Sequence, residues 1–215
     1  FGLNYQPPNL AKWQQLEQRI NSVTRSVTVA IVGKYVSMTD SYKSISEALF
    51  HAGLALGTQV NIRWINSAES QVEQQLEGVD AVLVPGGFGH RGVEGKLAAI
   101  HHARTQRLPF LGICLGMQLA VVEFVRHELG LIHAGSSEMA VCDPTVVDVL
   151  PGRDGDLGGT MRLGSECAVL TPNTLAHRIY QQPLIHERHR HRYEVIHDMD
   201  SLMQHGMTVS AVSPN

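Results

Sequence analysis

The amino-acid sequence predicts an α/β fold in which a mostly parallel central sheet is covered by helices on both faces. Short runs of β-branched and other apolar residues alternate with segments whose apolar residues recur at helical spacing. Several of these runs lead into glycines, at the edge where open α/β sheets bind ligands. The 215 residues suffice for one domain with a sizeable core.

The first predicted element is an amphipathic helix over residues 10–24, behind a linker that contains prolines. Such a helix either packs on its own domain or joins this domain to one upstream, and the sequence leaves both open. We therefore divide the chain into a linker with this helix, residues 1–25, and a main domain, residues 26–215. The apolar positions of the helix are Leu10, Trp13, Leu16, Ile20 and Val23.

Strands and helices alternate through the first part of the main domain. Strands are predicted at residues 27–32, 59–65, 81–84 and 109–113. One helix begins at Thr39 or Asp40, with Ile45, Leu49 and Ala52 on one face. Further helices are predicted over about residues 93–107 and from the fourth strand through Leu129.

After Gly135 the pattern changes to a series of strands. They are predicted at residues 146–150, 160–163, 188–195 and 208–212. We expect these additional C-terminal strands to be partly antiparallel.

Composition and charge narrow the kind of protein. The chain is 43% hydrophobic and 17% charged, which is typical of globular domains. Its formal net charge of −3 gives no electrostatic reason to expect nucleic acid or a membrane as partner. No apolar run approaches the ~20 residues that span a bilayer, and no signal peptide is recognisable. The absence of an initial Met predicts that the sequence starts inside a longer chain.

The cysteine content favours a cytoplasmic protein with one functional thiol. The three cysteines, Cys114, Cys142 and Cys167, are odd in number and none has C-x-x-C spacing. A disulfide framework or a zinc knuckle is therefore not expected.

The strongest local signal is G-I-C-L-G-M-Q at residues 112–118. Cys114 lies between a predicted strand and a predicted helix, with glycine two residues away on each side. This is the cysteine counterpart of the G-x-S-x-G nucleophile elbow, in which a tight turn presents the nucleophile at the end of the sheet. The helix N-terminus favours the reactive thiolate. The alternative, a small buried core cysteine, does not explain the two glycines.

A second glycine-rich segment, P-G-G-F-G at residues 85–89, also follows a predicted strand. Its backbone N–H groups can turn toward a small anion, as an acyl-transfer enzyme requires for its tetrahedral oxyanion. Alone the segment is better explained as an ordinary glycine-rich turn, but beside the elbow it supplies the missing oxyanion donors.

Residues 85–87 and 112–118 together resemble the class I (triad) glutamine amidotransferases. Further segments narrow the resemblance to the CTP synthase family, and they cover nearly the whole chain. These segments are residues 33–35 (G-K-Y), 40–44 (D-S-Y-K-S), 89–96 (G-H-R-G-V-E-G-K), 158–164 (G-G-T-M-R-L-G) and 187–195 (E-R-H-R-H-R-Y-E-V).

The resemblance implies a role for individual residues. Cys114 is the nucleophile that forms a γ-glutamyl thioester, and Gly87 with the N–H of Leu115 forms the oxyanion hole. Phe88 lies where the family binds the base of its GTP effector, near a lid loop at residues 158–164. The residues implied to bind glutamine are Gly87, Gln118, Glu138 and Arg192.

Each binding residue also has a simpler explanation. Gln118 could be a solvated helix residue, and Glu138 a carboxylate at a helix start. On a strand the three arginines 188, 190 and 192 share one side, which describes a basic strip. His189 and His191 on the other side could form an H-x-H metal pair, although no partner ligands are visible. A planar guanidinium suits a carboxylate, but only the resemblance selects Arg192.

One part of the family's site is absent from the sequence. The catalytic His is expected in an H-P-E segment near the C-terminus, and none of the 12 His residues stands in that context. The sequence reaches Asn215 before that segment, so we expect a truncation. A synthetase domain is likewise expected before Phe1.

The function implied by the resemblance is hydrolysis of L-glutamine to glutamate and ammonia. No cofactor or metal is expected in this domain. The synthetase domain would use ATP and Mg to convert UTP to CTP, with GTP as allosteric effector, in a homotetramer. Two alternatives remain: another cysteine hydrolase, such as a γ-glutamyl peptidase, or a truncated module that binds without turnover.

Overall fold

The computed structural model describes residues 7–139, 142–149 and 161–214. Its helices are α1 (Ala11–Asn21), α2 (Lys43–Ala55), α3 (Val72–Gln75), α4 (Val93–Thr105), α5 (Leu115–Glu128), α6 (Leu175–Tyr180) and α7 (Met199–Gln204). Its strands are β1 (Arg25–Gly33), β2 (Thr58–Asn66), β3 (Ala81–Val84), β4 (Phe110–Gly112), β5 (Gly135–Ser136), β6 (Thr145–Val149), β7 (Arg162–Leu170), β8 (Leu184–His191), β9 (Tyr193–Val195) and β10 (Ala211–Val212).

The central sheet contains four parallel strands in the order β2-β1-β3-β4. Alternate residues of each strand face opposite sides, so two cores form. The larger core contains Val32 and Val84 and packs against α4 and α5. The smaller core contains Ile31 and Leu83 and packs against Ile45 and Leu49 of α2. The predicted parallel sheet with helices on both faces is therefore confirmed.

The helix after β1 differs in detail from the prediction. A 3-10 turn, Thr39–Tyr42, precedes α2. Ala52, which we predicted on the apolar face, is exposed, and Gly53 is buried instead. A Cβ at Gly53 would lie only 2.5 Å from the Thr58 carbonyl oxygen. Helix α2 therefore packs on the start of β2 through a glycine, which a search for apolar side chains does not detect.

The C-terminal strands form two smaller sheets. Strands β10, β7 and β8 pair antiparallel, whereas β5, β6 and β9 form a mixed sheet. The strand predicted over residues 188–195 is divided at Arg192, because β8 pairs with β7 while β9 pairs with β6. This bend brings the end of β8 toward the central sheet.

Helix α1 confirms the predicted amphipathic helix but has no buried residue. Trp13 is 70% exposed, so nothing among the described residues covers the apolar face of this helix. The structure therefore does not show α1 packed on its own domain, which was one of the two explanations for this helix. In the described parts of the chain no helix is long and apolar enough to cross a membrane.

Candidate active site

The nucleophile elbow forms at the junction of β4 and α5. Cys114 is the residue directly before α5 and has φ +53° and ψ −111°, in the left-handed region that side chains rarely adopt. Such strain persists where the surrounding structure enforces it, commonly at catalytic residues. The turn that the sequence predicted is therefore present.

The glycines on either side of Cys114 allow the elbow to pack. A Cβ at Gly116 would lie 2.0 Å from the Val84 carbonyl oxygen, so only glycine lets α5 approach β3 this closely. A Cβ at Gly112 would lie 2.6 Å from the backbone of Gly116. The spacing of the motif is thus a packing requirement that holds the thiol above the sheet edge.

The environment of the thiol differs from the expectation of a favoured thiolate. Burial raises the pKa of Cys114, while the N–H of Leu115 at the start of α5 lowers it. Burial is the larger effect, so the pKa lies above the ordinary value for cysteine. The thiol lies 3.8 Å from the backbone carbonyl oxygen of Arg190 on β8, which can accept its proton in a hydrogen bond.

The glycine-rich segment after β3 lies beside the thiol, as predicted. A Cβ at Gly86 would be 3.4 Å from the Cβ of Cys114, and one at Gly87 would be 3.5 Å from a side-chain carbon of Leu115. The segment Gly86–Gly87 therefore lies against Cys114 and the first residue of α5, at one edge of the sheet. Glu138 is also at this edge, because its carboxylate accepts a 3.0 Å hydrogen bond from the Gly89 N–H.

Helix α5 and the strand bend position the remaining predicted binding residues. Gln118 is only 4% exposed, which excludes the solvated-residue explanation, and its side-chain amide donates to the Tyr193 carbonyl at 2.6 Å. Arg192 is half-buried at the bend between β8 and β9, whereas Arg188 and Arg190 are exposed. The three arginines are therefore not one uniform basic strip.

Phe88 is exposed next to Lys34, which in turn contacts Arg91. Its ring is 67% exposed, and the Nζ of Lys34 lies 4.7 Å from the ring centroid. Lys34 also donates a hydrogen bond to the Phe88 carbonyl, and Arg91 donates to the Lys34 carbonyl at 3.3 Å. An exposed aromatic face beside cations fits a nucleotide, which offers a base to stack and phosphates to pair. Residues 150–160, which include the first three residues of the predicted lid loop, lie outside the described residues.

Sequence reasoning missed two buried lysines below the glycine-rich segment. Lys96 on α4 is 1% exposed and Lys34 at the end of β1 is 8% exposed. Burial and the neighbouring Lys34 lower the pKa of Lys96 to about 8. A signal was available, because Lys96 falls on the helical face that carries Val93, Leu97 and Ile100, where an apolar residue is expected.

The described residues contain two histidine clusters, and the pair His189 and His191 flanks Arg190 beside the thiol. In the described part of the chain, one group could bring three metal ligands together: His101, Glu123 and His127. Arg104 already pairs with both carboxylate oxygens of Glu123 at 2.9 Å, so a guanidinium neutralises this buried charge. His189 and His191 contact each other at 2.8 Å, but no third ligand joins this H-x-H pair among the described residues.

Comparisons with known proteins agree with this geometry. The family described as "Glutamine amidotransferase class-I" matches residues 37–215. A protein named CTP synthase from Ruminiclostridium cellulolyticum is 46% identical over 100% of this chain and 41% of its own length. A CTP synthase from Helicobacter pylori is 50% identical over 91% of this chain and 39% of its own length. The chain thus spans about two fifths of the length of these relatives.

A solved structure extends the likeness to the fold. The glutaminase domain of Trypanosoma brucei CTPS, solved with bound acivicin, superposes with a TM-score of 0.81 at 35% identity. The match covers 87% of this chain and 75% of that domain.

Proposed function

The chain belongs to the class I glutamine amidotransferases, with the glutaminase domains of CTP synthases among its relatives, and we propose that it hydrolyses L-glutamine through a thioester on Cys114. The observation that carries this proposal is the strained elbow, which presents a half-buried thiol beside the Gly86–Gly87 backbone. The likeness to a glutaminase domain that binds acivicin supports it.

The proposed mechanism uses the two backbone segments at the sheet edge. The thiolate of Cys114 attacks the γ-carbonyl carbon of glutamine, and the N–H groups of Gly87 and Leu115 stabilise the oxyanion. Collapse of this intermediate breaks the C–N bond and releases ammonia, which takes a proton from a general acid. Water then attacks the thioester and yields glutamate. The general acid and base would be the family's His, from an H-P-E segment that residues 1–215 do not contain.

Three residues are proposed to hold the amino acid end of glutamine. Glu138 is at the glycine-rich segment and suits the ammonium group of the substrate. Arg192 suits its carboxylate, because a guanidinium binds carboxylates through two parallel hydrogen bonds. Gln118 is tied to the backbone next to Arg192 and would keep this arginine in place.

We further propose that the longer protein converts UTP to CTP. A synthetase domain with ATP and Mg would use the ammonia made here, as the names of the relatives suggest. We also propose that the domain boundary lies at residue 25, that the longer protein is a homotetramer and that it is cytoplasmic. The three free cysteines agree with a reducing compartment.

GTP is the proposed effector, with its base on Phe88. In this chain, the groups proposed to contact GTP are the exposed ring of Phe88 and the side chains of Lys34 and Arg91. No cofactor is proposed within this domain.

An assay of glutamate and ammonia release from L-glutamine tests the function. A longer polypeptide that includes an H-P-E segment should be active, and Cys114→Ala should abolish its activity while Cys142→Ala does not. The 215-residue polypeptide should be about 10²–10⁴-fold slower, because it lacks the general acid and base. Matching circular dichroism and melting curves must first show that all forms are folded.

The two alternatives give different results in the same assay. A γ-glutamyl peptidase would release more product from γ-glutamyl peptides than from glutamine. A module that only binds would bind glutamine without turnover even in the longer form.

A further inference from the structure

We propose that Lys96 is a positioning residue of this active site, whose buried ammonium group stabilises the anions that form at Cys114 and in the oxyanion hole. Its effect on the Cys114 thiolate is independent of the substrate. Its effect on the oxyanion rests on the proposed glutaminase function.

Lys96 is located next to the oxyanion segment. The side chain leaves α4 and ends below the glycine-rich segment, where its Nζ is 3.5 Å from the Cβ position of Gly87. The neighbouring Gly86 has its Cβ position 3.4 Å from Cys114. Two successive residues of the oxyanion segment therefore lie next to the Cys114 side chain and next to the ammonium group of Lys96, respectively.

The ammonium group of Lys96 is buried without a carboxylate partner among the described residues. An ammonium group that is 1% exposed is costly unless an anion compensates it. Among the described residues Lys96 forms no ion pair with a carboxylate within 4.0 Å, in contrast to Lys43 with Glu47. The positive charge of Lys96 is therefore placed where it stabilises an anion that forms during the reaction.

The charged groups around Lys96 influence its protonation state. Lys34 and Arg91 disfavour its charge, whereas Cys114 and Glu138 favour it. Because burial and these groups set its pKa to about 8, Lys96 is mostly charged at neutral pH. The interaction is mutual, since the charge of Lys96 also lowers the pKa of Cys114.

The test is the rate of Cys114 alkylation at pH 7, where Lys96 is mostly charged, by iodoacetamide, a neutral reagent that needs no substrate site. In Lys96→Met the rate should fall about 3–10-fold, because the thiolate loses a nearby cation and its fraction decreases. Lys12→Met removes an exposed lysine of α1 and should leave the rate unchanged. An equal rate in folded Lys96→Met and wild type would overturn the proposal.

Two further measurements complete the test. If Lys96→Met does not fold, Lys96→Gln gives the same readout. The ratio of the wild-type rate to the Lys96→Met rate should shrink above pH 8, because Lys96 loses its charge there. A ratio that stays constant with pH would contradict the proposal.

Turnover separates this inference from the proposed function. In a polypeptide with the H-P-E segment, kcat/KM of Lys96→Met should fall about tenfold, less than the ~10²–10³-fold loss when a direct oxyanion donor is removed. If no glutaminase activity exists but the alkylation rate at pH 7 still falls in Lys96→Met, the proposed function fails and the role of Lys96 at the thiol stands.

Discussion

The side-chain amide of Gln118 donates a 2.6 Å hydrogen bond to the backbone carbonyl of Tyr193. This contact joins the helix that begins after the nucleophile to the strand that begins after Arg192. Since Gln118 is buried, the bond has no competition from water. It therefore sets the distance between the thiol and the proposed carboxylate-binding arginine.

Replacing Gln118 by Glu should destabilise the fold more than replacing it by Leu. Glu keeps the shape but offers only acceptors to the Tyr193 carbonyl, and it buries a charge. We expect Gln118→Leu to lose about 1 kcal/mol of stability and Gln118→Glu about 2–3 kcal/mol. Urea unfolding measures both, with the exposed Gln74→Glu as control. Equal stability of the Leu and Glu variants would contradict the contact.

Cys114 should be the cysteine that a glutamine-derived electrophile labels. It alone is presented by a strained elbow beside the glycine-rich segment, whereas Cys142 contacts Thr145 and Cys167 lies within β7. Peptide mapping after labelling measures this. Label on Cys142 or Cys167 with Cys114 unmodified would remove Cys114 as nucleophile.

The pH profile of that reaction should reflect the burial of the thiol. Because burial raises the pKa of Cys114, the thiolate fraction grows only at high pH. Labelling by a neutral reagent should therefore still increase above pH 8.5, the ordinary midpoint for cysteine. A plateau already at pH 7 would show a thiolate that this structure does not explain.

Arg192→Lys should impair glutamine use more than the same change at Arg188 or Arg190. Lysine keeps the charge but not the planar pair of donors, so we expect a loss of ~1–3 kcal/mol in kcat/KM. The other two arginines are exposed and serve as matched controls. Similar losses at all three positions would indicate a general basic strip, and the comparison requires a polypeptide with measurable turnover.

The sequence predicted best those features that depend on local patterns. Strand β3 was predicted with its observed limits, Ala81–Val84, because four apolar residues, three of them buried, end in a glycine-rich turn. The elbow at Cys114 was predictable because both glycines are required by contacts within a few residues or with the adjacent strand. Local pattern and tertiary packing agree at these positions.

Features that depend on distant partners were not predictable. The break at Arg192 arises because β8 and β9 join different sheets, and nothing in the strand's own alternation encodes that. The role of Lys96 was hidden for the same reason, since a lysine beside apolar residues is ordinarily a solvated one. Only the fold shows that its ammonium group ends beneath Gly87.

The buried pair of Arg104 and Glu123 gives a prediction about stability. Burial alone would raise the pKa of Glu123, but hydrogen bonds from Arg104 and His101 outweigh it and hold the pKa below its usual range. Removing the arginine leaves a carboxylate that is 0% exposed and keeps only its contacts with the imidazoles of His101 and His127. Arg104→Met should therefore cost about 3 kcal/mol of unfolding free energy at pH 7. Glu128→Gln, which removes the exposed second partner of Arg104, should cost less than about 1 kcal/mol.

The cost of Arg104→Met should depend on pH in a defined direction. In the wild type the pKa of Glu123 is depressed, so its stabilising contribution exists above the unfolded value of about 4.3 and is lost as pH falls through the folded value. In the variant burial dominates, the pKa lies above the unfolded value, and protonation on acidification relieves the penalty. The relief in the variant narrows the difference between wild type and variant as the pH falls from 7 toward 4, and the loss in the wild type narrows it further below the unfolded value. Urea unfolding at several pH values measures this, and a difference that stays constant would show that Arg104 acts through packing and not through the charge of Glu123.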